Sequence, residues 1–120
     1  MSGRDAKAVS LIGMPGAGKS TVGILLAKRL GLDFVDTDVS IQVREGRSLA
    51  DIVSEDGYRA LRRVEEAVLL DLQPQGCVVA TGGSAVYSER AMAHLRGHGP
   101  LVFLDVSLAT LLERVPEGDP

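Results

Sequence analysis

Eight consecutive residues, Gly13-Met14-Pro15-Gly16-Ala17-Gly18-Lys19-Ser20, constrain this chain more than any other stretch. They fit the pattern G-x-x-x-x-G-K-[ST], in which a glycine-rich turn directs backbone N–H groups at an anion. The apolar run Val9-Ser10-Leu11-Ile12 before them reads as a buried strand. After them, Val22, Leu25, Leu26, Ala27 and Leu30 recur at helical spacing. A strand that feeds a helix through such a turn commits the chain to an α/β layout, and the helix N-terminus adds partial positive charge to the turn. Gly13, Met14, Pro15, Gly16, Ala17, Gly18, Lys19, Ser20 and Thr21 are therefore the candidate phosphate-binding residues. Lys19 is placed to reach β- and γ-phosphates, and the Ser20 hydroxyl to help hold Mg²⁺. The competing reading is a glycine-rich strand-to-helix turn that binds nothing.

Apolar runs and helical patterns alternate along the rest of the chain. Strands are predicted at Ala8–Ile12, Asp33–Asp36, Cys77–Ala80 and Leu101–Asp105. Helices are predicted at Lys19–Leu30, Ser40–Glu45, Ser48–Ser54, Gly57–Leu72, Ser88–Leu95 and Leu108–Arg114, with Ser107 as cap of the last. In the longest, Leu61, Val64, Val68 and Leu72 share a face, with Glu65 and Leu69 beside it. Ser48 stands three before Asp51, a capping box with Asp in place of Glu. Strands separated by helices imply a parallel, doubly wound sheet. At 120 residues this is one domain, 1–120, and with aromatics at 3% its core must be aliphatic. Ligands gather at the carboxyl ends of the strands of such a sheet. Three loops are expected there: the phosphate-binding turn, Asp36-Thr37-Asp38, and Thr81-Gly82-Gly83-Ser84.

Thirteen basic residues against sixteen acidic give a net charge of −3, which speaks against a nucleic-acid partner. No apolar stretch is long enough to span a membrane, and Met1 to Lys7 is too polar for a signal peptide. The lone Cys77 opens an apolar run and reads as a buried strand thiol. His94 and His98 have metal-site spacing, but Gly97 and Gly99 interrupt a helix there and no suitable third ligand follows. A cytoplasmic enzyme fits these observations.

Phosphoryl transfer needs a cation on the phosphate oxygens and a group that positions the acceptor hydroxyl. Asp36 is the candidate metal-shell residue with Ser20, and Asp38 the candidate base or orienting group. Taken alone, two acids after a strand are more often helix N-caps; the phosphate-binding turn one strand away favours the functional reading. Arg62 is a candidate for a ligand carboxylate, because Glu65 three residues on can fix its guanidinium fork. Periodicity alone does not separate Arg62 from Arg59. Gly82 and Gly83 either let backbone approach a ligand closely or simply make a tight turn.

Together these pieces resemble the shikimate kinase family, from about Val9 to Val115. The likeness runs through the phosphate-binding turn, Asp36-Thr37-Asp38, Glu45-Gly46-Arg47-Ser48-Leu49-Ala50-Asp51-Ile52, Leu61-Arg62 with Glu65-Glu66, and Ala80-Thr81-Gly82-Gly83. The resemblance implies a P-loop three-layer α/β/α fold on a parallel sheet, four strands in this chain against five in the family. It implies ATP-dependent phosphorylation of the shikimate 3-hydroxyl, with Mg²⁺, in the shikimate pathway to aromatic amino acids. Residue by residue, it gives Lys19 and Asp38 catalytic roles and puts Ser20 and Asp36 at the metal. It gives substrate binding to Asp38, Arg62, Glu65, Gly82 and Gly83.

Two features depart from the family pattern. Ser84 stands where the family has a third glycine; its side chain is expected to restrict φ and shift the turn, which makes a related polyhydroxy acid conceivable as substrate. The family's lid, its later arginines and its fifth strand have no counterpart before Pro120. The 120 residues alone are therefore expected to bind phosphate weakly and turn over poorly. The first strand is expected to lie exposed for pairing with another chain, where the full-length family is monomeric. The rivals are a kinase for another carboxylated polyol, of the gluconate type, and a non-catalytic nucleotide-binding module derived from such a kinase.

Overall fold

The computed structural model of the chain describes residues 7–13 and 18–104. In chain order its elements are β1 (Ala8–Gly13), α1 (Lys19–Leu30), β2 (Asp33–Asp36), α2 (Thr37–Glu45), α3 (Leu49–Asp56) and α4 (Tyr58–Asp71). There follow β3 (Cys77–Ala80), a 3₁₀ turn at Ala85–Tyr87, α5 (Glu89–Arg96) and β4 (Leu101–Leu104). The strands form one parallel sheet in the order β2-β3-β1-β4. Ala80 is in register with both Leu11 and Asp36, and Gly13 with Leu104, so β1, β2 and β3 deliver their last residues to one edge.

Alternation along the strands sorts their side chains into two layers, because successive residues point to opposite faces. Leu11 and Val78, with Val9 and Phe34, pack against Ala27, Val22 and Leu26 of α1. Ile12 meets Leu69, Met92 and Leu95 on the other face, and Cys77 and Val79 meet Leu72, so α4 and α5 cover that side. This is the expected α/β/α sandwich. A further cluster of Ile41, Ile52, Ala60 and Val68 fastens α2 and α3 to α4 away from the sheet. Ile41 and Ile52 are almost wholly buried, each stabilising the packing by about 1.5–3 kcal/mol.

Three expectations are corrected. Asp36-Thr37-Asp38 is not a loop. Asp36 ends β2 and caps α2, its Oδ1 accepting the Asp38 N–H at 2.9 Å, so the helix starts at Thr37 and not at Ser40. The first strand is not exposed: β1 lies between β3 and β4, and the edge strands of the described sheet are β2 and β4. The expected pairing of Arg62 with Glu65 also fails, for reasons given below. The remaining boundaries agree within one or two residues, and the helix expected at Leu108–Arg114, its Ser107 cap and Asp105 lie outside the described residues.

Candidate active site

Buried threonines tie the carboxyl edge of the sheet together. Thr81 donates its hydroxyl to the Leu11 carbonyl at 2.8 Å and its N–H to the same oxygen at 3.1 Å. The Thr37 hydroxyl donates to the Ala80 carbonyl at 3.3 Å. The ends of β1 and β3 and the start of α2 are thereby held in one frame.

On that frame α1 begins after Gly18, whose φ of 84° is left-handed and suits glycine. No side chain caps α1 and no acid occupies its first turn, whereas α2, α3 and α5 each have a side-chain cap and a first-turn acid. An anion at the α1 N-terminus would meet the partial positive charge of the helix with no acid in the first turn. Lys19 is buried (8% exposed), and its Nζ donates to the Gly13 carbonyl at 2.9 Å. Met14, Pro15, Gly16 and Ala17 lie outside the described residues.

The Ser20 hydroxyl donates to Asp36 Oδ2 at 2.9 Å, bringing the two candidate metal residues together. Two hard oxygen donors suit a cation such as Mg²⁺, which keeps most of its shell for water and phosphate. Among the described residues there is no cluster of three or more His, Cys, Asp or Glu able to hold a metal by themselves. Asp36 is therefore both a helix cap and a candidate metal residue; the two readings of the paired acids do not exclude each other.

Asp38, Glu65 and Lys19 form an electrostatic group. Burial first, and then the Asp36 charge, push the Asp38 carboxyl above its ordinary value, against the pull of Lys19. Burial first raises Glu65 too, with Asp38 adding to it; the hydrogen bond from Ser84, the Lys19 charge and the Gly82 N–H oppose. Burial lowers Lys19, while Asp38 and Glu65 work to keep it charged. A raised pKa makes Asp38 a stronger base than an ordinary aspartate.

Two cavities meet at this group. One, of about 310 Å³, is bounded by Gly18, Lys19, Ser20, Thr21, Thr81 and Gly82. The other, of about 380 Å³, lies between α4, α2 and the 3₁₀ turn and holds Arg62, Glu65, Tyr58 and Tyr87. Asp38 and Gly83 line both. A polar, helix-capped cavity thus opens beside a mixed one, with a carboxylate on the boundary.

Arg62 borders the second cavity, but its fork is not fixed by Glu65. The guanidinium lies over the Tyr87 ring, with Cζ 4.7 Å from the centroid. Glu65 turns inward (4% exposed), and its Oε1 accepts the Ser84 hydroxyl. Nor does Ser84 strain the turn, because its φ is −100°, open to any residue. Gly82 matters for space: a Cβ there would overlap Glu65 Oε2 and stand 3.0 Å from Asp38 Oδ1. Tyr87, Tyr58 and the Ser84 hydroxyl are the site features that sequence reasoning missed. With two tyrosines in 120 residues, a Tyr four residues after Gly83 is the signal that was available.

Elsewhere, Cys77 is buried as expected, with its thiol pushed up by burial. His94 and His98 meet edge to face at 4.9 Å, and His94 Nε2 contacts the Leu72 carbonyl at 2.6 Å. No helix among the described residues is long and apolar enough to cross a membrane.

The geometry can be set beside known proteins. The family model for shikimate kinase matches residues 15–119. The chain is 47% identical over 106 residues to the shikimate kinase of Thermobifida fusca, covering 88% of this chain and 61% of that one. It is 48% identical over 105 residues to the shikimate kinase of Mycobacterium bovis, covering 87% and 59%. Among solved structures it matches the shikimate kinase of Acinetobacter baumannii in complex with shikimate, with a TM-score of 0.81 and 32% identity over 95% of this chain and 64% of that one. The chain therefore spans about three fifths of the length of the curated relatives it matches.

Proposed function

This chain belongs to the shikimate kinase family, and from that premise we propose that its site transfers the γ-phosphoryl group of ATP to the 3-hydroxyl of shikimate. The observation that carries the reading is the position of Asp38 on the boundary between the two cavities. The nucleotide phosphates belong in the first cavity, on the α1 N-terminus with Lys19, Ser20 and Thr21. The acceptor belongs in the second, with its carboxylate on Arg62 and its ring against the apolar wall of Ile41, Leu49 and Leu61. Gly82, Gly83 and Glu65 shape the acceptor side.

In this reading Asp38 orients the acceptor hydroxyl and takes its proton as the hydroxyl oxygen bonds to the γ-phosphorus. The bond to the β–γ bridging oxygen breaks and ADP departs. Lys19, now bonded to the Gly13 carbonyl, turns to the phosphate oxygens and offsets their charge. Ser20 and Asp36 hold the divalent cation, Mg²⁺. When bound, it would supply positive charge against the negative charge that develops in transfer.

The test mixes protein at substrate-level concentration with ATP, Mg²⁺ and either shikimate or gluconate, and follows products by phosphorus NMR. Shikimate 3-phosphate and ADP are expected, with product lost in Asp38→Asn and shikimate binding weakened in Arg62→Ala. Phosphorylation of gluconate in preference to shikimate, or nucleotide binding with no affinity for shikimate, overturns the reading in favour of the polyol-kinase or non-catalytic alternative.

A further inference from the structure

The chain has no Trp and two Tyr, and both tyrosines line the acceptor cavity. They come from different elements: Tyr58 is the first residue of α4, and Tyr87 ends the 3₁₀ turn between β3 and α5. Neither serves the core, for Tyr58 is 71% exposed and Tyr87 64%. The two phenylalanines stand elsewhere, Phe34 against α1 and Phe103 in β4.

The backbone under both rings is held. The Tyr87 N–H donates to the Ser84 carbonyl at 3.1 Å, and Ala85 in the same turn is buried with Leu69 and Leu95. The first turn of α4 is closed by the Leu61 N–H on the Gly57 carbonyl at 3.3 Å, and Ala60 is buried against α2 and α3. Tyr58 shares a helix face with Arg62, four residues on. The Tyr87 ring lies against the Arg62 guanidinium, its centroid 4.7 Å from Cζ. Both rings therefore border the residue proposed for the acceptor carboxylate, and Ile41, Leu49 and Leu61 add an aliphatic wall to the same cavity.

Exposed aromatic rings beside a cavity of about 380 Å³ have apolar area still to lose, and a ligand that fills the cavity takes it from water. What the ligand presents to the rings decides whether that burial is favourable. A six-membered carbocycle carries its hydroxyls around its edge and offers C–H groups and a double bond on its faces. An open-chain polyhydroxy acid carries a hydroxyl on almost every carbon. Rings laid on it strip water from hydroxyls and return no hydrogen bond.

We propose that Tyr58 and Tyr87 are specificity-determining residues that pack on the ring of the acceptor and select a cyclic acid over an open-chain polyhydroxy acid. The proposal rests on the reading of this cavity as the acceptor site. Arg62 and Asp38 recognise a carboxylate and a hydroxyl, which both kinds of acid possess. The two tyrosines supply the distinction that those residues cannot make.

Dissociation constants of shikimate and gluconate for the 120-residue protein and its variants test the proposal, by calorimetry, with displacement for the weaker ligand. Tyr58→Ala and Tyr87→Ala are each expected to weaken shikimate about three- to tenfold and to change gluconate by less than about twofold. Tyr58→Phe and Tyr87→Phe keep the ring and are expected to keep shikimate affinity. A loss transmitted only through Arg62 would weaken both acids alike, since both carry the carboxylate. Tyrosine emission gives a second readout, because with no Trp it comes from Tyr58 and Tyr87 alone. Saturating shikimate is expected to change it in Tyr58→Phe, where Tyr87 reports, and in Tyr87→Phe, where Tyr58 reports. Equal losses for the two acids, no loss in either alanine variant, or emission blind to bound shikimate overturns the proposal and leaves the acceptor reading standing. A parent protein that binds neither acid overturns the acceptor reading and the proposal with it.

Discussion

At Gly82 the missing methyl group is what allows Glu65 and Asp38 to approach the same backbone. A Cβ there would overlap Glu65 Oε2 and crowd Asp38 Oδ1 at 3.0 Å. Gly82→Ala is therefore expected to destabilise the protein by about 1–3 kcal/mol, the range of overpacking in a tight site, and to weaken acceptor binding. Urea unfolding measures the first effect. The same substitution made beside Glu65→Ala should cost measurably less, because its main obstacle is gone; strict additivity of the two would show that Glu65 is not what Gly82 accommodates. Lys19, Ser20, Asp36 and Asp38 were legible as candidate site residues because each sits at a fixed offset from a strand end or inside a motif. The partners of Arg62 and Glu65 were not. Helical spacing favours pairing the two with each other, and the turn that separates them comes from a distant part of the chain.

Among the elements, the N-caps separate fold from function. Ser48 Oγ accepts the Asp51 N–H at 3.1 Å and touches neither cavity. Ser48→Ala is expected to lower stability by about 1 kcal/mol and to leave nucleotide binding unchanged, as thermal unfolding and a nucleotide titration would record. Asp36 both caps α2 and accepts the Ser20 hydroxyl. Asn caps a helix as well as Asp does, so Asp36→Asn should keep most of the stability and lose dependence on Mg²⁺ in nucleotide binding. A fall in stability as large as that of an uncapped helix would mean that the charge, more than the cap, holds α2. Ser48 was visible in sequence because Asp51 stands three residues after it, the spacing of a capping box. The start of α2 was misplaced because its cap is the last residue of a strand, so neither a loop nor a change of composition marks the boundary.

Across the whole molecule, alternation of strand and helix announced a parallel sheet, yet the strand order β2-β3-β1-β4 was not readable. Four short apolar runs carry no label for their neighbours, and only folding reveals that β1 is central. That order brings Asp38 beside Lys19 and Glu65 although they lie on three helices, and it gives the molecule a pH signature. Burial first, and neighbouring carboxylate charge with it, favour the protonated forms of Asp38 and Glu65 in the folded state. The folded protein then binds more protons than the unfolded chain between the ordinary carboxylate pKa and the raised folded values. The stability these two groups contribute is complete below the ordinary range and is lost as pH climbs through the folded values. The variant Asp38→Asn with Glu65→Gln lacks this loss. The unfolding free energy of the parent protein minus that of the variant is therefore expected to fall as pH rises from about 4 to about 7. Chemical denaturation at a series of pH values measures that difference, and a value that stays level or rises would mean the two carboxyls are stabilised as anions by Lys19 and the surrounding donors.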